Sequence, residues 1–424
     1  MLSLFELVAA LLGVTALFAW LNARLIRLPT AIGLLVMGLA ASLLLVGSEF
    51  VFPDAAVHGV LTATLRQIDF YDTVMNGLLA FLLFAGALHV DFDRLRRRAP
   101  VIGTLASLGV VMSALIVATG LWLAAGALDL PLDFAWALVF GALIAPTDPV
   151  AVLSTLQAVK VPPALETDMS GEALFNDGIG VVLFAITLEA AHGMAGDFGL
   201  AHVAQLLLVE AGGGALFGLL TGALAYRAMY TIDEPATEVM ISLALVTGTY
   251  ALANALGMSG PISVVTAGLL IGNRGAARAM SEFTRRYVFG FWTLTDEILN
   301  AVLFLLIGVE VLVIGIGPAF GWIGLIAIPL TLFARFVSVA TPVAMLRRWQ
   351  SFVPGTVAIM TWGGVRGGIS IALALSLPDV PARTPILAAT YGVVLFTVIV
   401  QGLSLAPLVR RMVRAPGLPE AAAE

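Results

Sequence analysis

The sequence predicts an all-α polytopic membrane protein of about thirteen transmembrane helices, built as two inverted repeats with crossed discontinuous helices. Three observations lead there. The 424-residue chain is 60% hydrophobic and 11% charged, whereas soluble proteins carry roughly 25% charged residues. Apolar stretches of bilayer-spanning length, about 20 residues, recur along the whole chain. Two of these stretches are interrupted by proline or glycine around a charged residue, the pattern of a transporter's central site.

The candidate spans lie near 4–23, 30–47, 73–90, 101–127, 134–158, 170–193, 199–229, 236–256, 260–273, 290–314, 319–346, 354–377 and 384–411. The polar stretch 48–72, with Pro53, Asp54, Arg66 and Asp69, is the longest connection between spans. Residues 275–289, "GAARAMSEFTRRYVF", read as an interfacial amphipathic helix. The 21 basic residues test the count. Arg24, Arg27, the Arg94–Arg98 run, Lys160, Arg227, Arg274, Arg278, Arg285, Arg286, Arg347, Arg348, Arg410, Arg411 and Arg414 all follow odd-numbered spans. Only Arg66 and Arg383 follow even-numbered ones, while Arg335 and Arg366 lie inside spans. The positive-inside rule then puts the N-terminus outside and the C-terminus in the cytoplasm. Residues 1–414 form one transmembrane unit: a first repeat over about 1–193, a connector helix over about 199–229 and a second repeat over about 236–411. Residues 415–424 are a short cytoplasmic tail. With no cysteine, disulfides and thiolate metal sites are excluded. No "GxxxxGK" phosphate loop is present, and nothing suggests a nucleic-acid partner.

The fifth span contains "GALIAPTDPVAVL". Pro146 and Pro149 each lack an N–H and clash with the preceding turn, and Pro149 biases Asp148 toward extended geometry. The helix should unwind around Ala145–Asp148, which lipid tolerates only where the backbone lines a protein-enclosed cavity. The twelfth span contains "TWGGVRGGIS", with four glycines around Arg366, so it too is weakened near its middle. The two sit seven spans apart, an odd number, so they run in opposite directions, as inverted halves require.

The sixth span opens "GEALFNDGIG" (171–180). Asp177 shares a helix face with Ala173 and Ser170, while Glu172 shares one with Asn176. Asp148, Glu172, Asp177 and Arg366 each cost about 2.5–3.5 kcal/mol at the bilayer centre, so function is the default reading. Glu172 is expected to pair with Arg366, and Asn176 to bond Asp148. Asp177 then stays unpaired and faces a cavity. Desolvation disfavours the charged form of any carboxylate, so a sequestered Asp177 takes up a proton and yields it to a cation. Asp177, Thr147, Ser170 and water offer the oxygens an alkali ion needs. One carboxylate holding either ion exchanges them one for one and moves no net charge.

Through "APTDPVAV", "GEALFNDGIGVVLF", "FLLFAGALHVDFDRL", "LNAVLFLLIGVEV", "LFARFVSV" and "TWGGVRGGIS", the chain resembles the bacterial NhaP-type sodium/proton antiporters of the monovalent cation/proton antiporter family. The resemblance implies an NhaA-like fold and a homodimer in the bacterial inner membrane. Spans 4–6 and 11–13 would be a moving transport domain and the rest a scaffold. It implies electroneutral exchange of Na+ (or Li+) for H+ by alternating access, without a cofactor. Asp177 would bind either ion, with Thr147, Asp148 and Asn176 beside it, Na+ resting on Asp177 and Thr147, and Glu172 and Arg366 paired. Arg335 matches a family arginine of the eleventh span, with Asp296 and Glu297 as candidate partners. Two places depart from the pattern: Ala173 and Ala85 stand where some relatives carry a serine and a glutamate as ion ligands.

Two other transport readings are a K+/H+ antiporter of the same mechanism and a passive cation channel. An enzyme is not expected. "GMSG" (257–260) offers Ser259 as a protease nucleophile, but all four histidines precede it, whereas the resembled proteases place the base after the serine. His89, beside Asp91, reads as an interfacial histidine, with pH sensing as the alternative.

Overall fold

The computed structural model describes residues 3–51, 69–129, 132–148, 152, 159, 161–193, 208–314 and 318–413. All regular structure among them is helical. Helix α1 (Leu4–Leu21) starts at a reciprocal cap in which Ser3 and Glu6 bond each other's backbone N–H. It is followed by α2 (Thr30–Val51), α3 (Phe70–Leu88) and α4 (Phe92–Ala127). Next come the short α5 (Phe134–Ile144) and the long α6 (Pro163–Ala191), which opens on a proline at its first position. After α7 (Leu208–Met229), α8 (Pro235–Ala255) and α9 (Gly260–Leu270) stands α10 (Glu282–Ile314). The chain closes with α11 (Pro318–Leu346), α12 (Thr356–Trp362), α13 (Gly368–Leu375) and α14 (Arg383–Met412).

Ten helices among the described residues are long and apolar enough to cross a membrane. The exceptions matter most. Helix α5 ends at Ile144 and the chain runs without helix through Ala145–Asp148. Helices α12 and α13 are the halves of the predicted twelfth span, separated at Gly363–Gly367. Pro149, Lys160, Arg66, Arg414, the tail and most of the 48–72 connection lie outside the described residues. Two expectations change. Helix α4 is 36 residues long and begins at Phe92, before the predicted span. The expected interfacial helix at 275–289 does not stand apart. Residues from Glu282 onward are the first turns of the 33-residue α10, because buried Val288 and Trp292 carry one packed face straight across the supposed boundary.

Packing sorts the helices into two groups. Helix α10 lies along α2 and α3, and α9 packs on α3, α7 and α8. Helix α4 packs on α5 and α11, α6 on α4 and α5, and α14 on α11 and α13. Contacts across the divide are fewer: α6 meets α9, and α13 meets α3 and α10. Close approach of small residues serves where lipid removes the usual hydrophobic drive. Gly308 packs against the α2 backbone at Leu35 and Leu39, and Ser42 Oγ donates to the Gly308 carbonyl at 3.0 Å.

Within the second group a buried ion pair ties α4 to α6. Arg98 Nε donates to Asp168 Oδ1 at 2.7 Å, with a second close contact from Nη2 to Oδ2. Arg98 Nη1 donates to the Ser351 carbonyl at 3.0 Å, and the guanidinium lies 5.1 Å from the Phe352 ring centroid. Asp168 is 1% exposed. Removing one partner of such a pair strands a buried charge, at a cost of about 3–5 kcal/mol, whereas an apolar pair of similar volume is tolerated. Thus Asp168→Ala is expected to lower the Tm of purified protein markedly. The double variant Arg98→Met, Asp168→Leu should recover most of that loss in the same thermal scan.

Candidate ion-binding site

The site grows from a backbone problem. A helix that stops inside a membrane leaves its last carbonyls without intrahelical partners. At the end of α5 the Leu143 carbonyl accepts from Ser370 Oγ at 2.8 Å. The Ala145 and Pro146 carbonyls both accept from Arg366 Nη1, the latter at 2.7 Å. In return, Asp148 N–H donates to the Val365 carbonyl at 2.8 Å, and Arg366 N–H donates to Thr397 Oγ1 at 3.1 Å. The two interrupted stretches meet and bond each other. Glycine makes the meeting possible: a Cβ on Gly367 would lie 2.2 Å from Asp148 Oδ2, and one on Gly364 would lie 2.5 Å from Arg335 Nε.

Helix α6 passes beside this junction. Asn176 is fully buried; its Nδ2 donates to Thr147 Oγ1 at 2.8 Å and its Oδ1 accepts from Thr147 N–H at 3.4 Å. The expected Asn176–Asp148 bond is replaced by this clamp on Thr147, because the unwound backbone turns the Thr147 hydroxyl and N–H toward α6. Asp177 is 7% exposed and forms no hydrogen bond or ion pair with a described residue. With Pro146, Asp148 and Ser170 it lines a cavity of about 750 Å³. Ser170 Oγ donates to the Glu166 carbonyl at 2.7 Å, so its lone pairs are left for the cavity. Thr147 does not line this cavity but a small void with Asp148, Glu172 and Arg335. Of the five expected binding residues, then, Asp177, Asp148 and Ser170 face the cavity, and Asn176 and Thr147 stand behind it.

The expected Glu172–Arg366 pair is not formed. Glu172 accepts both Nη groups of Arg335, with Nη2 to Oε2 at 2.8 Å, and Arg335 Nε donates to the Met360 carbonyl at 3.2 Å. Arg366 instead turns to the exposed carbonyls of α5, which carry the negative end of that helix dipole. Asp296 and Glu297 are accordingly not partners of Arg335; both line the cavity.

Residues 13–411 match the family described as sodium/hydrogen exchanger, transmembrane. The chain belongs to that family. It is 44% identical over 417 residues to the Na(+)/H(+) antiporter NhaP of Pseudomonas aeruginosa, covering 96% of each chain. It is 34% identical over 393 residues to the Na(+)/H(+) antiporter NhaH of Halobacillus aidingensis, covering 92% of this chain and 93% of that one. The fold is similar to the solved structure of the sodium proton antiporter MjNhaP1 from Methanocaldococcus jannaschii at pH 8. The TM-score is 0.74 at 20% identity, covering 97% of this chain and 100% of that one.

Other residues singled out in the sequence have plain structural places in this exchanger-family chain. Ser259 caps α9, its Oγ accepting from Ile262 N–H. His89 bonds the Ala85 carbonyl at 2.8 Å and Thr293 Oγ1 at 3.1 Å, joining α3 to α10. The Arg98–Asp168 pair was not anticipated, although Asp168 lies four residues before Glu172 on the same face of α6. Gly367 offers a direct test of the junction. Gly367→Ala pushes a methyl into Asp148 and is expected to slow ion exchange in proteoliposomes on the order of tenfold, while the thermal unfolding profile stays that of a folded protein.

Proposed function

We propose that the chain is an electroneutral Na+/H+ antiporter, also accepting Li+, that works by alternating access. The observation that carries this is Asp177: a buried carboxylate with no partner among the described residues, facing a cavity beside two interrupted helices that bond each other. Every neighbouring intramembrane charge on α6 and α11–α13 is engaged: Glu172 by Arg335, and Arg366 by the α5 carbonyls. Asp177 is left to be completed by a proton or a cation. A Na+ ion there would take oxygens from Asp177, Asp148, Ser170 and water. Since Asp177 holds one proton or one Na+, loading it with either gives the same net charge, and a full cycle moves none.

The two helix groups are the natural moving parts. The group of α4–α6 and α11–α14, carrying Asp177, would act as transport domain, and the rest as scaffold and homodimer surface. In this reading the unwound segment at 145–148 completes a fifth span and α12 with α13 the twelfth. Thirteen spans in two inverted halves result, with the N-terminus outside and the C-terminus in the cytoplasm of a bacterial inner membrane. The full-length likeness to antiporters named for Na+ and H+ supports the choice of ions.

Proteoliposomes with an internal pH dye provide the test. Added Na+ should drive protons out of acid-loaded vesicles of wild type, at a rate unchanged when valinomycin and K+ clamp the potential at zero. Asp177→Asn should be silent at every Na+ concentration while folding normally. Proton movement that follows the membrane potential instead of the Na+ gradient identifies a passive channel and defeats the proposal.

A further inference from the structure

The cavity has two walls, and only one is used by the exchange site. Asp177, Asp148 and Ser170 occupy the wall made by α6 and the unwound end of α5. The opposite wall is made by α3 and α10. Phe84 packs on Trp292 with ring centroids 4.7 Å apart, and His89 on Phe289 at 5.4 Å, so α3 and α10 run antiparallel with a defined register. Continuing that register, α10 presents Asp296 to the cavity in the stretch where α3 presents Leu79, Leu82 and Leu83, which carry no side-chain oxygen, and Ala85 and Gly86 farther along the same wall offer none either.

Asp296 is a held carboxylate rather than a loose surface acid. Buried Asn300 donates from Nδ2 to Asp296 Oδ1 at 3.1 Å and to its carbonyl at 2.9 Å. That bond fixes one carboxylate oxygen and leaves the other for the cavity. Asp296 forms no ion pair with a described residue; the nearby Arg94 at the cavity margin is engaged by Asp91 at 3.2 Å. Asp296 lines the same cavity as Asp148 and Asp177, and a monovalent cation held between carboxylates offsets their mutual repulsion.

We infer that Asp296 is a second cation contact, on the opposite helix group, that completes the coordination of the ion held by Asp177, directly or through one water. This inference rests on the antiporter reading above. It gives Asp296 a role distinct from that of Asp177: it sets cation affinity, whereas Asp177 exchanges the proton. Because the two carboxylates belong to different helix groups, any shift of one group against the other separates them and weakens the hold on the ion. A cation is then bound tightly in one position and released in the other without a further trigger.

The test is Na+ activation of proton efflux in proteoliposomes. Asp296→Asn is expected to raise the apparent KM for Na+ about tenfold with the maximal rate within about twofold of wild type. That change corresponds to about 1.4 kcal/mol of lost binding. A carboxylate restored from the same wall should rescue it. A Cβ on Gly86 meets only Leu174 Cδ1, at 3.9 Å, so Gly86→Asp in the Asp296→Asn background has room and should return the KM toward wild type. A merely structural role for Asp296 predicts no such rescue. If Asp296→Asn does not fold, Asn300→Leu, which frees the carboxylate without removing it, should still raise the KM about threefold. An unchanged KM in the folded variant, or a rise that Gly86→Asp leaves untouched, overturns the inference. With Asp177→Asn silent in the same assay, that result leaves the antiporter reading standing; activity in Asp177→Asn removes the reading itself.

Discussion

The constraint on which the structure depends is that a backbone carbonyl in lipid must find a donor. Proline strips α5 of its continuation, and lipid offers no donor to repair the loss. Arg366 does it, with Ser370 beside it, and the peptide N–H of Asp148 returns the favour to Val365. Everything around the site follows from this mutual repair. Nη1 of that guanidinium is held by the carbonyls, and Glu172 takes its ion pair from another arginine. That arginine is Arg335, and Gly364 has to be bare for Arg335 to pass. Asn176 pins Thr147 and so fixes the unwound strand against α6. The carboxylate next to Asn176 is then left without a partner among the described residues.

Three arginines thus perform three structural tasks inside one helix group. Arg98 joins α4 to α6, Arg335 joins α11 to α6, and Arg366 joins the α12–α13 break to α5. None of these pairs crosses to the group built on α2, α3 and α10. In the proposed alternating-access cycle, a body stitched internally by buried pairs, and meeting its neighbour across a cavity and fewer contacts, would shift as a unit. Breaking a buried pair to permit motion within the group would cost several kcal/mol, so rigid displacement is the cheaper path.

Much of this was legible in the residues. Hydropathy marked the membrane helices, the proline and glycine motifs marked both interruptions, and the polar residues of "GEALFNDGIG" singled out α6, which passes beside them. What escaped was pairing. With two intramembrane arginines and one acid to satisfy, helical phase cannot say which arginine wins. The deciding factor, the carbonyls freed beside Ala145, becomes visible only when the twelfth span is placed against the fifth. The extents of α4 and α10 escaped for a related reason. Polar residues at 92–100 and 282–289 look like loops to hydropathy, yet buried Arg98, Thr284 and Val288 hold them helical. Asp296 was read as a possible partner for Arg335 because sequence cannot tell which side of a helix faces a cavity.

The bond from Arg366 to Ala145 joins residues 221 positions apart. A ribosome feeding the chain into the bilayer from its N-terminus must deliver the fifth span long before its guanidinium partner exists. Until then the carbonyls freed at the end of α5 lack the donor that the finished protein gives them. Assembly order is therefore written into the same contact that builds the site: the core of the first half closes only when nearly the whole chain has been made.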